Sequence, residues 1–346
     1  MKLLIVNQPL ENRGDESAHR ALVNSLLERL PQALIEVLFV GVNERSIQEF
    51  EVKNKRITYL HFPLGRFGFH FLTKILRYRL YALWYIHPVS WKILREMRKS
   101  DLVICAPGGI CMGGFQSWSH ITILYMAKRL EKKIVYYGRS FGPFPEKDKA
   151  NRRFKEISYE LLRYFNFISI RDAVTQKLAE EIGVNYIPTT DSAFLSTPHG
   201  EIPNELKLQI GKGDYIVFVP NVLTWHYRYK GVPDEIIKTF FRRILNQLLI
   251  KFPGNKILML PQTYNHQLPI TAEMNFFIDL QQSVNAPDRV KVLPDTYGSD
   301  IQQLIIGKAK FLIGARYHSI VFAINNNTPF IALSYEHKIS GLLNSE

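Results

Sequence analysis

The chain has 346 residues, 46% of them apolar and 22% charged, an ordinary globular composition in a length that suits two domains better than one core. Forty-four lysines and arginines against 31 acids leave a formal charge of +13, which directs attention to anionic partners: nucleic acid, a membrane surface or an anionic substrate. The two cysteines, Cys105 and Cys111, fit neither a C-x-x-C redox pair nor a zinc site, which excludes a disulfide framework and indicates a reducing compartment.

The opening MKLLIVNQPLENRGD carries an apolar run too short for a signal-peptide core and followed by polar residues, so Leu3–Val6 reads as a first buried strand. A polar turn follows, and Ser17–Leu30 has helical apolar spacing. Strand, glycine-bearing loop and helix open a doubly wound sheet, with Asn12, Gly14, Asp15 and Glu16 at a strand's carboxyl end. Helix capping is the other reading of Asp15 and Ser17. Ile35–Val40 and Ile57–Leu60 are strands separated by a polar stretch.

Gly65–Lys99 interleaves eight cations with eight aromatics against one acid, Glu96. No apolar run in it approaches the ~18 residues of a membrane span. Such a segment suits the interface of an anionic membrane, and a long core helix with a solvated face is the alternative. Leu102–Cys105 is a strand ended by Pro107-Gly108-Gly109, and a helix runs near Gln116–Leu130. Gly108 and Gly109 permit close approach to a ligand, but their spacing is neither a P-loop nor a dinucleotide fingerprint. Ile134–Tyr137 is a strand whose loop, GRSFGPF, uses Arg139 and Ser140 either to contact an anion or to shape a proline turn. Helix Arg152–Tyr164 and strand Phe167–Ile170 lead to Arg171-Asp172, which opens a helix to Ile182. Arg171 is an anion candidate or an ion-pair residue; Asp172 serves equally as a helix-dipole partner.

Between Pro188 and Gly213 prolines and glycines accumulate, marking the domain boundary, with Asp191 at its start. The alternation then resumes with strands Tyr215–Val219, Lys256–Leu260 and Val290–Leu293. Helices lie at Glu235–Lys251, Thr271–Gln282 and near Ser299–Gly307. The stretch FLIGARYHSIVFAINNNTPFIALSYEHK supplies strand Phe311–Ile313, a glycine turn, a helix opening at Arg316, strand Phe330–Leu333 and a charged turn ending at Lys338. Arg316, His318 and Lys338 gather round one helix N-terminus, where the helix dipole favours a small anion.

At these residues the chain resembles the polysaccharide pyruvyl transferases, whose signature has an R-x-H helix start and a later Y-x-x-K. Five further stretches agree in the family's order: NRGDE, APGG, GRSFGPF, SIRDAVTQKLAEEIGV and TDSAF. Thr175 replaces the usual serine, and Glu336-His337 a common Asp-Pro. The resemblance implies an α/β protein with two Rossmann-like domains facing a cleft, a GT-B-like fold. Residues 1–195 would form the acceptor side and 196–346 the phosphoenolpyruvate side. The chain ends eight residues after Lys338, short of what such a second domain normally needs, so more chain is expected beyond Glu346.

The implied activity joins the pyruvyl group of phosphoenolpyruvate to two hydroxyls of one sugar, in a surface polysaccharide or its lipid-linked precursor. A cyclic ketal forms and phosphate leaves. Arg316, His318, Lys338 and Arg171 would bind the donor, with His318 as acid because its reference pKa admits either state near neutrality. Asp15 would be the base, with Asp191 and Glu336 in reserve. Asn12, Gly14, Gly108 and Gly109 complete the acceptor side or cleft with those three carboxylates. No step calls for a metal or other cofactor, and no His/Cys/Asp clustering suggests one. His19, His266 and His337 read as structural or peripheral.

Phosphoenolpyruvate is a cytoplasmic metabolite, so a cytoplasmic protein is expected, held at the inner face of the membrane by its basic-aromatic segment. Two other functions fit parts of the pattern. A GT-B nucleotide-sugar glycosyltransferase would release UDP or GDP, with a carboxylate such as Glu336 on the ribose. A non-enzymatic membrane-surface or nucleic-acid binder rests on Gly65–Lys99 alone, and no DNA or RNA motif accompanies it.

Overall fold

The computed structural model describes residues 1–211, 214–265 and 271–343; Gly213, His266 and the side chain of His337 lie outside what is described. The chain divides into two compact units, one made of Met1–Leu10, Ala18–Ser192 and the C-terminal residues from Gly341, the other of Glu11–Ser17 and Ala193–Ser340.

In chain order the first part runs β1 (Lys2–Val6), α1 (Arg13–Arg29), β2 (Leu34–Val40), α2 (Glu44–Phe50), β3 (Ile57–Phe62), α3 (Arg66–Tyr78) and α4 (Pro88–Lys99). It continues through β4 (Leu102–Cys105), α5 (Trp118–Arg129), β5 (Ile134–Tyr136), α6 (Lys149–Tyr164), β6 (Phe167–Ile170), α7 (Ala173–Ile182) and β7 (Ile187–Pro188). The strands form one parallel sheet, ordered β3-β2-β1-β4-β5-β6-β7. Leu3 and Ile5 pack with Leu22 and Val23 of α1, while Leu4 and Val6 pack with the helices of the opposite face. A strand covered on both faces has no polar positions to alternate, which is why β1 reads as a continuous apolar run.

Two sequence expectations change here. The polar stretch after β2 folds as α2, capped by Asn43, whose Oδ1 accepts from the Arg45 amide at 2.9 Å. Gly65–Lys99 is not one long helix: α3 ends where Arg79 takes a left-handed conformation (φ 59°), a 3-10 turn spans Tyr81–Tyr85, and Pro88 opens α4.

The second unit holds α8 (Asn204–Ile210), β8 (Tyr215–Val219), α9 (Asp234–Lys251), β9 (Lys256–Met259), α10 (Ala272–Gln282) and β10 (Val290–Val292). After these come α11 (Ser299–Gly307), β11 (Phe311–Gly314), α12 (Tyr317–Asn325), β12 (Phe330–Ala332) and α13 (His337–Leu343), whose residues from Gly341 group with the first unit. Its parallel sheet is ordered β10-β9-β8-β11-β12. Lys338 therefore lies in the first turn of α13 rather than in the turn before it.

The segment carrying Asn12, Gly14 and Asp15, expected as a loop of the N-terminal domain ahead of a helix from Ser17, instead leads into and forms the first turn of α1, and it groups with the second unit. The reason is backbone pairing. Asn12 bridges Thr263 in antiparallel fashion, the Arg13 amide donates to the Gln262 carbonyl at 2.9 Å, and the Tyr264 amide donates to the Glu11 carbonyl at 3.1 Å. In each sheet the strand order reverses once, between β1 and β4 and between β8 and β11. Ligands of such folds bind beyond the carboxyl ends of the strands at these reversals.

Candidate functional site

The reversal in the second sheet sets the site. Gly314 ends β11, and α12 begins at Tyr317 with Arg316 as its N-cap residue. A Cβ on Gly314 would stand 2.4 Å from Ser319 Oγ, so only glycine lets the strand turn this closely into the helix. From β8 the chain runs into Asn221, Trp225 and His226. Asn221 Nδ2 donates to the Ala315 carbonyl at 3.2 Å, and Trp225 Nε1 donates to Asn221 Oδ1 at 3.0 Å. These bonds tie the ends of the two strands flanking the reversal.

Arg316 is directed by a residue the sequence did not single out. Its Nε and Nη2 donate to Glu273 Oε1 at 2.9 and 2.5 Å, while its guanidinium lies 5.6 Å from the Trp225 ring centroid. The other oxygen of Glu273 accepts from the amides of Gln262 and Thr263, both at 2.7 Å, and from Thr263 Oγ1. Burial alone would lower the Arg316 pKa, but Glu273 raises it, and the side chain stays a cation. Its Nη1 has no hydrogen-bond partner among the described residues. Arg316 and Trp225 line a pocket of about 590 Å³, together with Thr224, Thr263, Thr271 and Glu273. Glu273 sits in the first turn of α10, where the sequence shows an acid but not its partner.

His318 is one residue inside the helix, 8% exposed. It packs on Gly14: a Cβ there would lie 1.8 Å from His318 Cγ. The start of α1 is shaped by Asn12, whose Oδ1 accepts the Gly14 amide at 2.8 Å, and half-buried Asp15 follows immediately in the first turn. Arg13 and Glu16 anchor it. Buried Arg13 pairs with Glu16 at 3.0 Å, donates to the Asp295 carbonyl at 2.7 Å and stacks 3.8 Å over Tyr264.

Lys338 also has a buried counter-ion. Its Nζ lies 2.8 Å from Glu336 Oε1, and His226 Nε2 lies 3.5 Å from the other oxygen. Burial opposes the Glu336 charge, but Lys338 and hydrogen bonds from His226 and Tyr335 outweigh it and hold the carboxyl well below the usual range. Glu336 is thus held ionised as the counter-ion of Lys338. Lys338 Nζ also lies 5.8 Å over the Tyr317 ring, beside His318.

The sequence reading thus counted three cations and missed that two arrive with carboxylates, Glu273 and Glu336. The cluster is a set of oriented donors rather than a bare positive patch. Arg316, His318, Lys338, Glu336, Asn12, Gly14 and Asp15 all belong to the second unit.

Gly108, Gly109, Arg171 and Asp191 belong to the first. There Arg171 forms a buried ion pair with Asp191, and its Nη2 donates to the Gly108 carbonyl at 3.0 Å. Arg139 is fully buried and gathers the carbonyls of Asn7, Ala106 and Gly109, which fixes the glycine loop after β4. Asp172 caps α7, accepting from the Thr175 amide and from Ser140 Oγ. Among the described residues no group of three or more His, Cys, Asp or Glu is placed to hold a metal ion.

Two doubly wound parallel units define an α/β protein of the GT-B type. The UDP-GlcNAc 2-epimerase of Neisseria meningitidis bound to UDP-GlcNAc matches with TM-score 0.59 and 13% identity, over 99% of this chain and 85% of that one. That of Methanocaldococcus jannaschii matches with TM-score 0.58 and 11% identity, over 96% and 84%. These likenesses show the fold alone. Sequence comparison goes further: the chain belongs to the polysaccharide pyruvyl transferase family, which it matches over residues 12–337. The amylovoran biosynthesis protein AmsJ of Erwinia amylovora is 22% identical, over 99% of this chain and 85% of AmsJ. The chain is therefore a polysaccharide-modifying transferase.

Proposed function

We propose that the protein transfers the pyruvyl group of phosphoenolpyruvate to two hydroxyls of one sugar in a surface polysaccharide or its lipid-linked precursor. The observation that carries this is Arg316 at the N-terminus of α12, held by Glu273 at the edge of a roughly 590 Å³ pocket, with one edge of its fork not used by any described residue. A planar fork oriented in advance suits a carboxylate or phosphate, and the helix N-terminus adds amide donors. Lys338, steadied by Glu336, supplies the second cation.

The reaction starts when His318 protonates the methylene carbon of the enol phosphate. The resulting oxocarbenium-like centre is attacked by a sugar hydroxyl, whose proton passes to Asp15. The second hydroxyl displaces phosphate and closes the ketal; its proton restores His318, and Asp15 passes the first proton to the departing phosphate, so both groups end as they began. Support for this pairing is the contact between His318 and Gly14, which sets the acid beside the residue preceding the base. The acceptor is a glycan, and the reaction runs in the cytoplasm, at the membrane face where lipid-linked glycans are exposed.

Equilibrium titration with phosphoenolpyruvate tests the assignment. Lys338→Ala should weaken binding roughly 10- to 150-fold, the loss of one charge-assisted contact worth about 1.5–3 kcal/mol. Asp15→Asn should bind the donor like the parent chain while turnover falls by roughly 10²-fold or more. Unchanged donor affinity in Lys338→Ala together with unchanged turnover in Asp15→Asn would remove the assignment.

A further inference from the structure

The segment between Gly65 and Lys99 presents an exposed basic and aromatic surface, whose one ion pair to the rest of the unit shown among the described residues joins Arg79 to Glu160 at 2.7 Å. All eight of its cations, Arg66, Lys74, Arg77, Arg79, Lys92, Arg95, Arg98 and Lys99, are exposed. Its one acid, Glu96, is buried and held by Arg95 at 3.0 Å and Lys99 at 2.9 Å. Burying Leu72, Ile75 and Leu76 satisfies the inner face of α3. Its outer face should then be polar, yet Phe67, Phe71, Lys74 and Tyr78 recur at i, i+4, i+7 and i+11 and form one outward stripe.

Phe67 is 91% exposed and Ile86 74%, and Leu80, Tyr85 and Trp91 are exposed as well. The stripe is continuous with the start of α4, since the Phe71 ring lies 5.7 Å from that of the capping residue His87. Cations flank the rings directly, with Arg95 5.2 Å over Trp91 and Arg98 5.3 Å over Tyr85.

Water does not favour such a surface, and core packing does not account for it. We infer that the outer face of α3 and α4 is a docking surface for an anionic lipid bilayer, with Phe67, Phe71 and Ile86 entering the headgroup region. The eight exposed cations match the sign of an anionic leaflet, and aromatic rings between cations suit its interface. The aliphatic tips, Leu80 and Ile86, separate this occupant from nucleic acid, because bases stack on rings but gain little from exposed aliphatic chains. No helix among the described residues is long and apolar enough to cross a membrane, so the contact is interfacial. Such docking would keep the enzyme where lipid-linked acceptors are. The inference draws its purpose from that proposed acceptor but is measured without donor or glycan, so either reading can fail alone.

The test is co-sedimentation of the full chain with vesicles of phosphatidylcholine containing phosphatidylglycerol, at low and high salt. Binding is expected at low salt, with at least a ~10-fold fall in partitioning towards 1 M salt, where the Debye length is about 3 Å. Lys74→Glu with Lys92→Glu and Arg98→Glu should weaken partitioning by ~10-fold or more. Phe67→Ser with Ile86→Ser, both exposed and so without effect on the melting temperature, should reduce binding while leaving its salt dependence. The inference is overturned if the parent chain ignores anionic vesicles at low salt. It is equally overturned if binding is insensitive to all five substitutions, or if the Phe67 and Ile86 changes instead abolish self-association of a chain that never binds vesicles.

Discussion

At the scale of single residues, the account turns on what holds His318 and Lys338. Gly14 has no side chain because the imidazole occupies that volume. In Gly14→Ala the ring must move, since overlap at 1.8 Å exceeds anything a few tenths of an ångström can relieve. We expect turnover to fall at least ~10²-fold, with about 1–3 kcal/mol of stability lost to overpacking. Activity retained in a stable Gly14→Ala protein would show that the histidine's position does not matter. Glu336 gives a pH signature. Its folded pKa is depressed, so the stability it contributes is present above the unfolded value and lost as pH falls through the folded one. The stability difference between the parent chain and Glu336→Gln should therefore be flat from neutrality down to about 5 and shrink only below ~4.3. A difference that declines between pH 7 and 5 would mean that Glu336 titrates there and that its pairing with Lys338 is weak.

At the scale of elements, buried charge joins pieces distant in sequence. Glu16, in the first turn of α1, accepts from the amide of Ser299 at 3.3 Å and from its hydroxyl at 3.1 Å. It thereby satisfies the start of α11, whose N-cap Gly298 offers no side chain. Removing the carboxylate takes from buried Arg13 a charged partner at 3.0 Å and from Ser299 its acceptor, so Glu16→Ala should cost about 3–5 kcal/mol in denaturant unfolding. Glu16→Gln, which still accepts from Ser299, should cost less. Equal stability of all three proteins would dismiss the pair as an anchor of the turn that carries Asp15.

Elements also mark where sequence reasoning worked. A helix near Ser299–Gly307 is legible in the sequence, and the observed α11 has those bounds. The breaks inside 65–99 are not legible, because Arg79 adopts a glycine-like conformation that no residue type announces. Arg316 and His318 were visible from local pattern, whereas Glu273 was not. Its meaning depends on a contact across 43 positions, and locally it is an ordinary helix-start acid. For the same reason the grouping of Asp15 with the second unit is hidden in the sequence: the pairing of residues 11–13 with 262–264 leaves no local trace.

For the whole molecule, two doubly wound units and a family match over residues 12–337 agree on a polysaccharide-modifying transferase of GT-B type. The fold by itself would not separate donors, since similarly built structures handle UDP-GlcNAc. The donor must be read from the oriented arginine, the histidine pinned by a glycine, and the lysine with its own carboxylate. The most direct measurement is incubation of the purified chain with phosphoenolpyruvate and a panel of lipid-linked and polymer-derived glycans, following phosphate release and product mass together. The account predicts stoichiometric phosphate and an acid-labile pyruvyl ketal on one glycan, with both lost in His318→Ala. Turnover of a UDP- or GDP-sugar on the same panel, with phosphoenolpyruvate untouched, would contradict it.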